Sequence, residues 1–271
     1  MGVLSPTQLE SWERDGVLVL PGFYSAADCS ALQARAATLM ASATEADAPV
    51  IFSSDDQGHA RDEYFLTSGD TIRLFHEAAD PSVVNKMGHA MHDLDGEFSA
   101  FSRTPALAGL AADLGFVDPK LLQSMYILKA PEVGGEVTWH TDHTFLWTDP
   151  ASVVGFWVAL DEATEENGCL WCLPGGHRAP VRSRFRRAPA GGTVMDVFDP
   201  DPYDATHARP LPAAVGTLVV LHGRLPHWSA PNTSSSPRHA YTLHVIEGQA
   251  TYPADNWLQR PDMPLRGFEA S

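Results

Sequence analysis

The sequence predicts an α+β fold with a mostly β core, in which helices pack on one side of a β-sandwich or barrel. Two observations carry this. Residues before about Leu121 hold well-capped helical stretches, and residues after it fall into short β-branched or aromatic runs separated by Gly, Pro, Asn and Asp clusters. Strands and helices do not alternate strictly, so a parallel βαβ sheet is not expected.

The elements follow in order. Ser5-Pro6-Thr7-Gln8 has the form of a capping box with proline at the first helical position, and Gly16 supplies a stop, so a helix is predicted from Ser5 to Asp15. The apolar VLVLPGF then reads as a strand. A second capping signal, Ser25 to Asp28, opens an Ala/Leu-rich helix to about Ser42, and Thr104-Pro105 with Gly115 brackets a third in TPALAGLAADLG. These three are expected to form a helical layer. VVNKMGHAMH reads as a further helix. The β region comprises LLQSMYILKA, SVVGFWVAL, GCLWCLP, VGTLVVLHG and HAYTLHVIEG. Two stretches resist assignment, Glu45 to Asp80 and the Pro/Arg-rich Gly175 to Pro212, and loops that long inside a compact domain are usually lids or disordered segments.

A length of 271 residues with 44% hydrophobic content supports one domain with a sizeable core. A net charge of −16, from 34 acidic and 18 basic residues, repels phosphate backbones and anionic lipid heads, which excludes nucleic acid and membrane surfaces as expected partners. No apolar run approaches the ~20 residues of a membrane span. With no signal peptide, myristoylation pattern or peroxisomal tail visible, an intracellular, cytoplasmic protein is expected. The three cysteines, Cys29, Cys169 and Cys172, fit a reducing compartment. Cys169 and Cys172 form an isolated CxxC; three apart on a strand they would point to opposite faces, and they read as core residues rather than a zinc or redox pair.

The chemistry concentrates in Trp139-His140-Thr141-Asp142. On a strand, His140 and Asp142 project from one face, offering an imidazole and a carboxylate together. A third ligand must come from a distant segment, and LVVLHGRLPHWS offers His222 or His227. Two histidines and a carboxylate on one face of an octahedron, with three positions open, is the geometry of non-haem Fe(II) oxygenases. A 2-oxoglutarate chelating such an iron leaves its distal carboxylate in need of a cation. Arg238, at the start of HAYTLHV, can grip it with two parallel hydrogen bonds. With 12 histidines in the chain, each piece alone is weak; the ordered combination is the signal. His143, three residues from His140, should face away, and His177 should support a turn near the pocket. Arg182, Arg184, Arg186 and Arg187 read as a solvated basic loop, with a lid over an anionic substrate as the alternative.

Longer blocks carry a resemblance. LSPTQLESWERDGVLVLPGF, YFLTSGD, NKMGHAMH, QSMYILKAPEVGGEVTWHTDHTFLWT, GFWVAL, ENGCLW, LPGGH, LVVLHGRLPHWS and RHAYTLHVIEG resemble the phytanoyl-CoA dioxygenase family over nearly the whole chain, and its stand-alone domain-containing members most of all. The resemblance implies a double-stranded β-helix, or jelly roll, with helices on one sheet. It implies His227 rather than His222 as the third ligand, beside His140 and Asp142, and contacts to 2-oxoglutarate from Lys86, Met125, Trp157, Ser229 and Arg238. Asp142 stands where halogenases lack a carboxylate, which disfavours halide chemistry.

The expectation is one Fe(II)/2-oxoglutarate oxygenase domain over residues 1–271: helical support and a lid loop in 1–120, and a β-helix core in 121–250 with a lid loop near 175–212. It would consume Fe(II)-bound 2-oxoglutarate and O2, with ascorbate sustaining turnover, and oxidise a small-molecule or lipid-like substrate with release of succinate and CO2. Two other classes stay open at this point, a cupin-like protein with a structural or hydrolytic metal, and a 2-oxoglutarate-binding sensor. The sequence names neither the substrate nor the oligomeric state.

Overall fold

The computed structural model describes residues 2–42 and 63–269. In chain order the elements are α1 (Pro6–Asp15), β1 (Val17–Leu20), α2 (Ala26–Ser42), α3 (Glu63–Leu66), β2 (Ile72–His76), β3 (Val84–His89), α4 (Met91–Leu94), α5 (Gly96–Ser102), α6 (Pro105–Asp113), β4 (Pro119–Lys129), β5 (Val137–His140), α7 (Asp142–Phe145), β6 (Val154–Ala159), β7 (Leu170–Cys172), β8 (Ser183–Arg187), β9 (Thr193–Val197), β10 (Arg209–Leu211), β11 (Leu218–His222), β12 (His227–Ser229) and β13 (Arg238–Glu247).

The helix signals act as chemistry requires. Ser5 Oγ accepts from the Gln8 amide while Gln8 Oε1 accepts from the Ser5 amide, and Gly16 closes α1 at φ 72°, a left-handed conformation that glycine adopts without a Cβ clash. The same reciprocal pair, Ser25 and Asp28, opens α2. Thr104 caps α6 through the Leu107 amide, with Pro105 behind it.

The strands pair antiparallel into a seven-stranded sheet of order β1-β11-β6-β13-β4-β3-β2, a four-stranded sheet of order β10-β7-β12-β5 and the hairpin β8-β9. Alternation sorts the large sheet's two faces. Val154, Phe156 and Val158 of β6, with Tyr241, Leu243 and Val245 of β13, point outward and bury Trp12, Leu32, Phe98 and Leu107 of the helical layer. Gly155 and Trp157, with Thr242 and His244, point inward toward the small sheet. This is the double-stranded β-helix, with its helices on one sheet.

Four expectations change. VVNKMGHAMH is not a helix through Lys86: residues 84–89 form β3, held between β2 and β4. Two ladders of backbone bonds, with Met87 buried against the helices and Lys86 turned inward, outweigh the helical propensity of an isolated Lys-Met stretch. Gly175 to Pro212 is not a bare loop, since it contains β8, β9 and β10, and Phe185 is buried. Of Glu45 to Asp80, positions 45–62 lie outside the described residues, while α3 and β2 occupy much of the rest. Cys169 and Cys172 are free and buried, but they share one core cluster with Trp157 and Leu221, because Cys169 precedes β7 and strand alternation does not reach it.

Candidate metal centre

His140 ends β5 and His227 begins β12, and the two stand directly opposite each other across the antiparallel ladder. Their ring centroids are 4.2 Å apart. Asp142 comes from the first turn of α7 rather than from the strand, so the His-x-Asp spacing converges through a strand-to-helix corner and not through strand alternation alone. One ligand atom from each of His140, Asp142 and His227 lies within 4.8 Å of the others.

Both imidazoles are oriented alike. Nδ1 of His140 is 2.7 Å from the Thr138 carbonyl, and Nδ1 of His227 is 2.9 Å from the Leu225 carbonyl. A carbonyl can only accept, so each Nδ1 carries the proton and each Nε2 keeps a lone pair for a metal. Burial first, then the neighbouring His227, push the His140 imidazolium pKa down to about 4, which keeps the ring in its ligating neutral form. Burial works to raise the Asp142 carboxyl, but the surrounding histidines outweigh it and hold it below the ordinary carboxylate range. Two imidazoles whose Nδ1 atoms are turned to backbone carbonyls, and an ionised carboxylate, form a donor set suited to a divalent transition metal.

A cavity of about 420 Å³ opens beside this group. Every residue that the resemblance implied for 2-oxoglutarate lines it: Lys86 from β3, Met125 from β4, Trp157 from β6, Ser229 from β12 and Arg238 from β13. Arg238 is 1% exposed, and its Nε and Nη1 have no hydrogen-bond partner. The guanidinium carbon lies 5.6 Å from the Trp157 ring centroid. Burial lowers its pKa to about 10, so the charge stays on at neutral pH. Beside it, Lys129 is fully satisfied, its Nζ donating to the carbonyls of Gly135 and Ala230 at 2.6 Å each. Lys86 is buried, which pushes its pKa down to about 7, and its Nζ sits 4.6 Å from the Phe75 ring centroid.

The remaining histidines separate cleanly. His222 Nδ1 accepts from the Arg224 amide, and its ring faces His177 and Trp12, away from the cavity. His143 lies against Trp147, with ring centroids 4.3 Å apart and the planes tilted by 34°. The arginine cluster is not a solvated loop. Arg184 pairs with Asp255 and Arg186 with Asp196, both at 2.5 Å, Arg182 pairs with Asp199 at 2.8 Å, and Arg187 donates to the Leu66 and Trp257 carbonyls. The acids and carbonyls that pair with them come from β9, its following turn, the C-terminal segment and the end of α3, most of them too distant in sequence to foresee.

Sequence reasoning missed His244, which lies inward on β13 with Nε2 3.2 Å from Asp142 Oδ1. Its signal was present: 238, 240, 242 and 244 alternate onto one strand face, so His244 shares the side of Arg238. The aromatic lining from Phe65, Phe145, Phe185 and Trp257 carried no such signal, because these residues come from four separate segments.

Two antiparallel sheets closed around a cavity, with two histidines and a carboxylate at its side, define the class, a jelly roll with a candidate metal centre. The chain matches the family described as Phytanoyl-CoA dioxygenase (PhyH) over residues 12–240, and it belongs to that family. It is accordingly a dioxygenase by family. It is 39% identical to Phytanoyl-CoA dioxygenase domain-containing protein 1 of Mus musculus, over 98% of both chains, and 38% identical to a Phytanoyl-CoA dioxygenase of Arabidopsis thaliana, over 97% of this chain and 96% of that one. Among solved structures, it resembles EctD from S. alaskensis with 2-oxoglutarate and 5-hydroxyectoine, at TM-score 0.69 and 21% identity over 97% of this chain and 86% of that one. It also resembles the epimerase SnoN in complex with Fe3+, alpha ketoglutarate and nogalamycin RO, at TM-score 0.68 and 18% identity over 95% and 90% of the two chains. These likenesses show the fold. No helix among the described residues is long and apolar enough to cross a membrane.

Proposed function

We propose that the chain binds Fe(II) through His140, Asp142 and His227, takes 2-oxoglutarate in the adjoining cavity, and uses O2 to oxidise a small molecule with an apolar body, releasing succinate and CO2. The observation that carries this is Arg238. A buried guanidinium with two unpartnered nitrogens, beside a His/Asp/His group, leaves a cation that only an anionic ligand in the same cavity would satisfy.

The residues fit such a co-substrate. Arg238 would hold its distal carboxylate, Trp157 shields the guanidinium from water, and Ser229, Met125 and Lys86 complete the walls. Fe(II) held at the triad would supply O2 activation coupled to oxidative decarboxylation of 2-oxoglutarate. Around it, Phe65, Phe145, Leu146, Phe185 and Trp257 present an apolar wall that excludes water and suits a hydrocarbon or ring system. Two buried polar atoms on that wall, His89 Nε2 and Trp257 Nε1, lack partners and would accept from and donate to a substrate hydroxyl. Hydroxylation is the reaction proposed for that substrate.

Succinate formation from 2-oxoglutarate, Fe(II), O2 and ascorbate tests this reading, first without and then with a panel of neutral apolar molecules, lipids and acyl-CoA thioesters. His140→Ala, Asp142→Ala and His227→Ala should each abolish turnover and Mn(II) binding, whereas His222→Ala and His143→Ala should bind Mn(II) as the parent does. Metal binding without succinate would leave a hydrolytic centre or a 2-oxoglutarate sensor, and full turnover by His227→Ala would overturn the ligand set.

A further inference from the structure

Asp142 is held by a side chain that neither the motif nor its spacing announces. His244 is 3% exposed on β13, and its Nε2 lies 3.2 Å from Asp142 Oδ1. Its Nδ1 has no partner, so the tautomer that satisfies the pair carries its proton on Nε2 and donates it to the carboxylate. The partner of His244 on β6 is Gly155. A Cβ at position 155 would stand 2.8 Å from Asp142 Oδ2 and 3.6 Å from His244 Cδ2. The strand therefore provides a gap, filled by a carboxylate on one side and an imidazole on the other.

We infer that His244 is a positioning residue for the metal-ligating carboxylate and that Gly155 is the space this arrangement requires. The inference rests on the proposed metal site. One carboxylate oxygen is committed to the His244 donor and the other abuts Gly155, so the group cannot rotate freely. Held in this way, it presents a fixed orientation to the triad, which keeps the remaining coordination positions available.

The test compares His244→Gln with His244→Asn. A glutamine places its amide nitrogen near the position of Nε2, while an asparagine stops one bond short, so the two differ in reach and little in polarity. Mn(II) affinity of the metal-free protein, read by calorimetry, should fall about 10- to 100-fold in His244→Asn and stay within a few-fold of the parent in His244→Gln. The Mn(II) electron paramagnetic resonance line shape should change in His244→Asn alone. Equal affinities and line shapes in the parent and both variants would overturn the inference while leaving the metal site intact. Equal losses in both variants would make His244 a ligand or a packing element instead. Absence of Mn(II) binding by the parent would sink the metal site itself. Gly155→Ala offers an independent check: it should reproduce the His244→Asn spectrum, and a parental spectrum would count against the cradle.

Discussion

At the scale of single residues, the sharpest consequence concerns Arg238. A lone guanidinium at 1% exposure is costly unless a ligand completes it, so its worth should appear in ligand affinity rather than in metal binding. Arg238→Ala should lose roughly 2 to 5 kcal/mol of 2-oxoglutarate affinity, which at ~1.4 kcal/mol per decade is about 30-fold or more. Mn(II) affinity should be unchanged, and Arg238→Lys should recover only part, because an ammonium keeps the charge without the two-pronged geometry. Anaerobic calorimetry with Mn(II) measures all three, and an unaltered 2-oxoglutarate affinity in Arg238→Ala would remove the assignment. This part of the site was legible because its residue types are rare in combination: a His-x-Asp, a distant histidine and an arginine opening a strand. For His244 alternation gave only the face it shares with Arg238; its role was not legible, since an imidazole in an apolar run looks like any core histidine until Gly155 is seen across from it.

At the scale of elements, capping boxes and β-branched runs found α1, α2, α6 and the long strands because those signals are local. Elements defined by their partners were not found: β3 exists because β2 and β4 flank it, and β8-β9 exists because Phe185 has a core to enter. Phe185 is 2% exposed, packs at 5.5 Å from Phe145, which itself lies beside His140, and shares a cluster with Phe65, Leu146 and Trp257. The hairpin is thus a wall of the cavity, pinned by one aromatic and by the Arg184-Asp255 and Arg186-Asp196 pairs. Phe185→Ala should cost about 3 to 5 kcal/mol by the usual transfer-plus-cavity reckoning. Its polar ties to the rest of the chain, Arg184 to Asp255, Arg187 to the Leu66 and Trp257 carbonyls and the Arg186–Asn256 bridge, all start from β8, so the loss should surface first as local opening of the hairpin. Hydrogen exchange should accelerate across residues 183–197 in the variant while β4 and β13 keep their protection. Exchange unchanged in the hairpin would show that the ion pairs, not Phe185, hold it closed.

At the scale of the whole molecule, one buried carboxylate ties the helical layer to the C-terminal segment. The Asp93 side chain of α4 is 1% exposed and meets Arg103, from the end of α5, at 2.5 Å, Arg266 at 2.7 Å, and Arg260; His92 Nε2 is 3.3 Å away. Arg260 also donates to the Leu122 carbonyl, and Leu121 bridges to Arg266, so the node clamps the tail across β4 beneath the helices. Burial works to raise the Asp93 carboxyl, but His92 and the arginines outweigh it and hold the pKa far below the ordinary carboxylate range. The sign follows from linkage: a depressed folded-state pKa gives stability that is fully present above the unfolded value near 4 and is lost as pH falls below it. Asp93→Asn removes the charge and strands Arg103 and Arg260, which are 6% and 3% exposed, so at pH 7 it should destabilise the protein by about 3 to 5 kcal/mol. Below pH 4 the unfolded parent takes up a proton at Asp93 while the folded parent keeps the carboxylate ionised, and the variant has nothing to protonate there, so the gap between them should narrow. Other carboxylates titrate equally in both proteins and cancel in the difference. Urea unfolding of both at pH 7, 5, 4 and 3 measures that gap directly. A gap that stays constant from pH 7 to pH 3 would mean that Asp93 contributes shape rather than charge, and the tail would then have to be held by its backbone bonds alone.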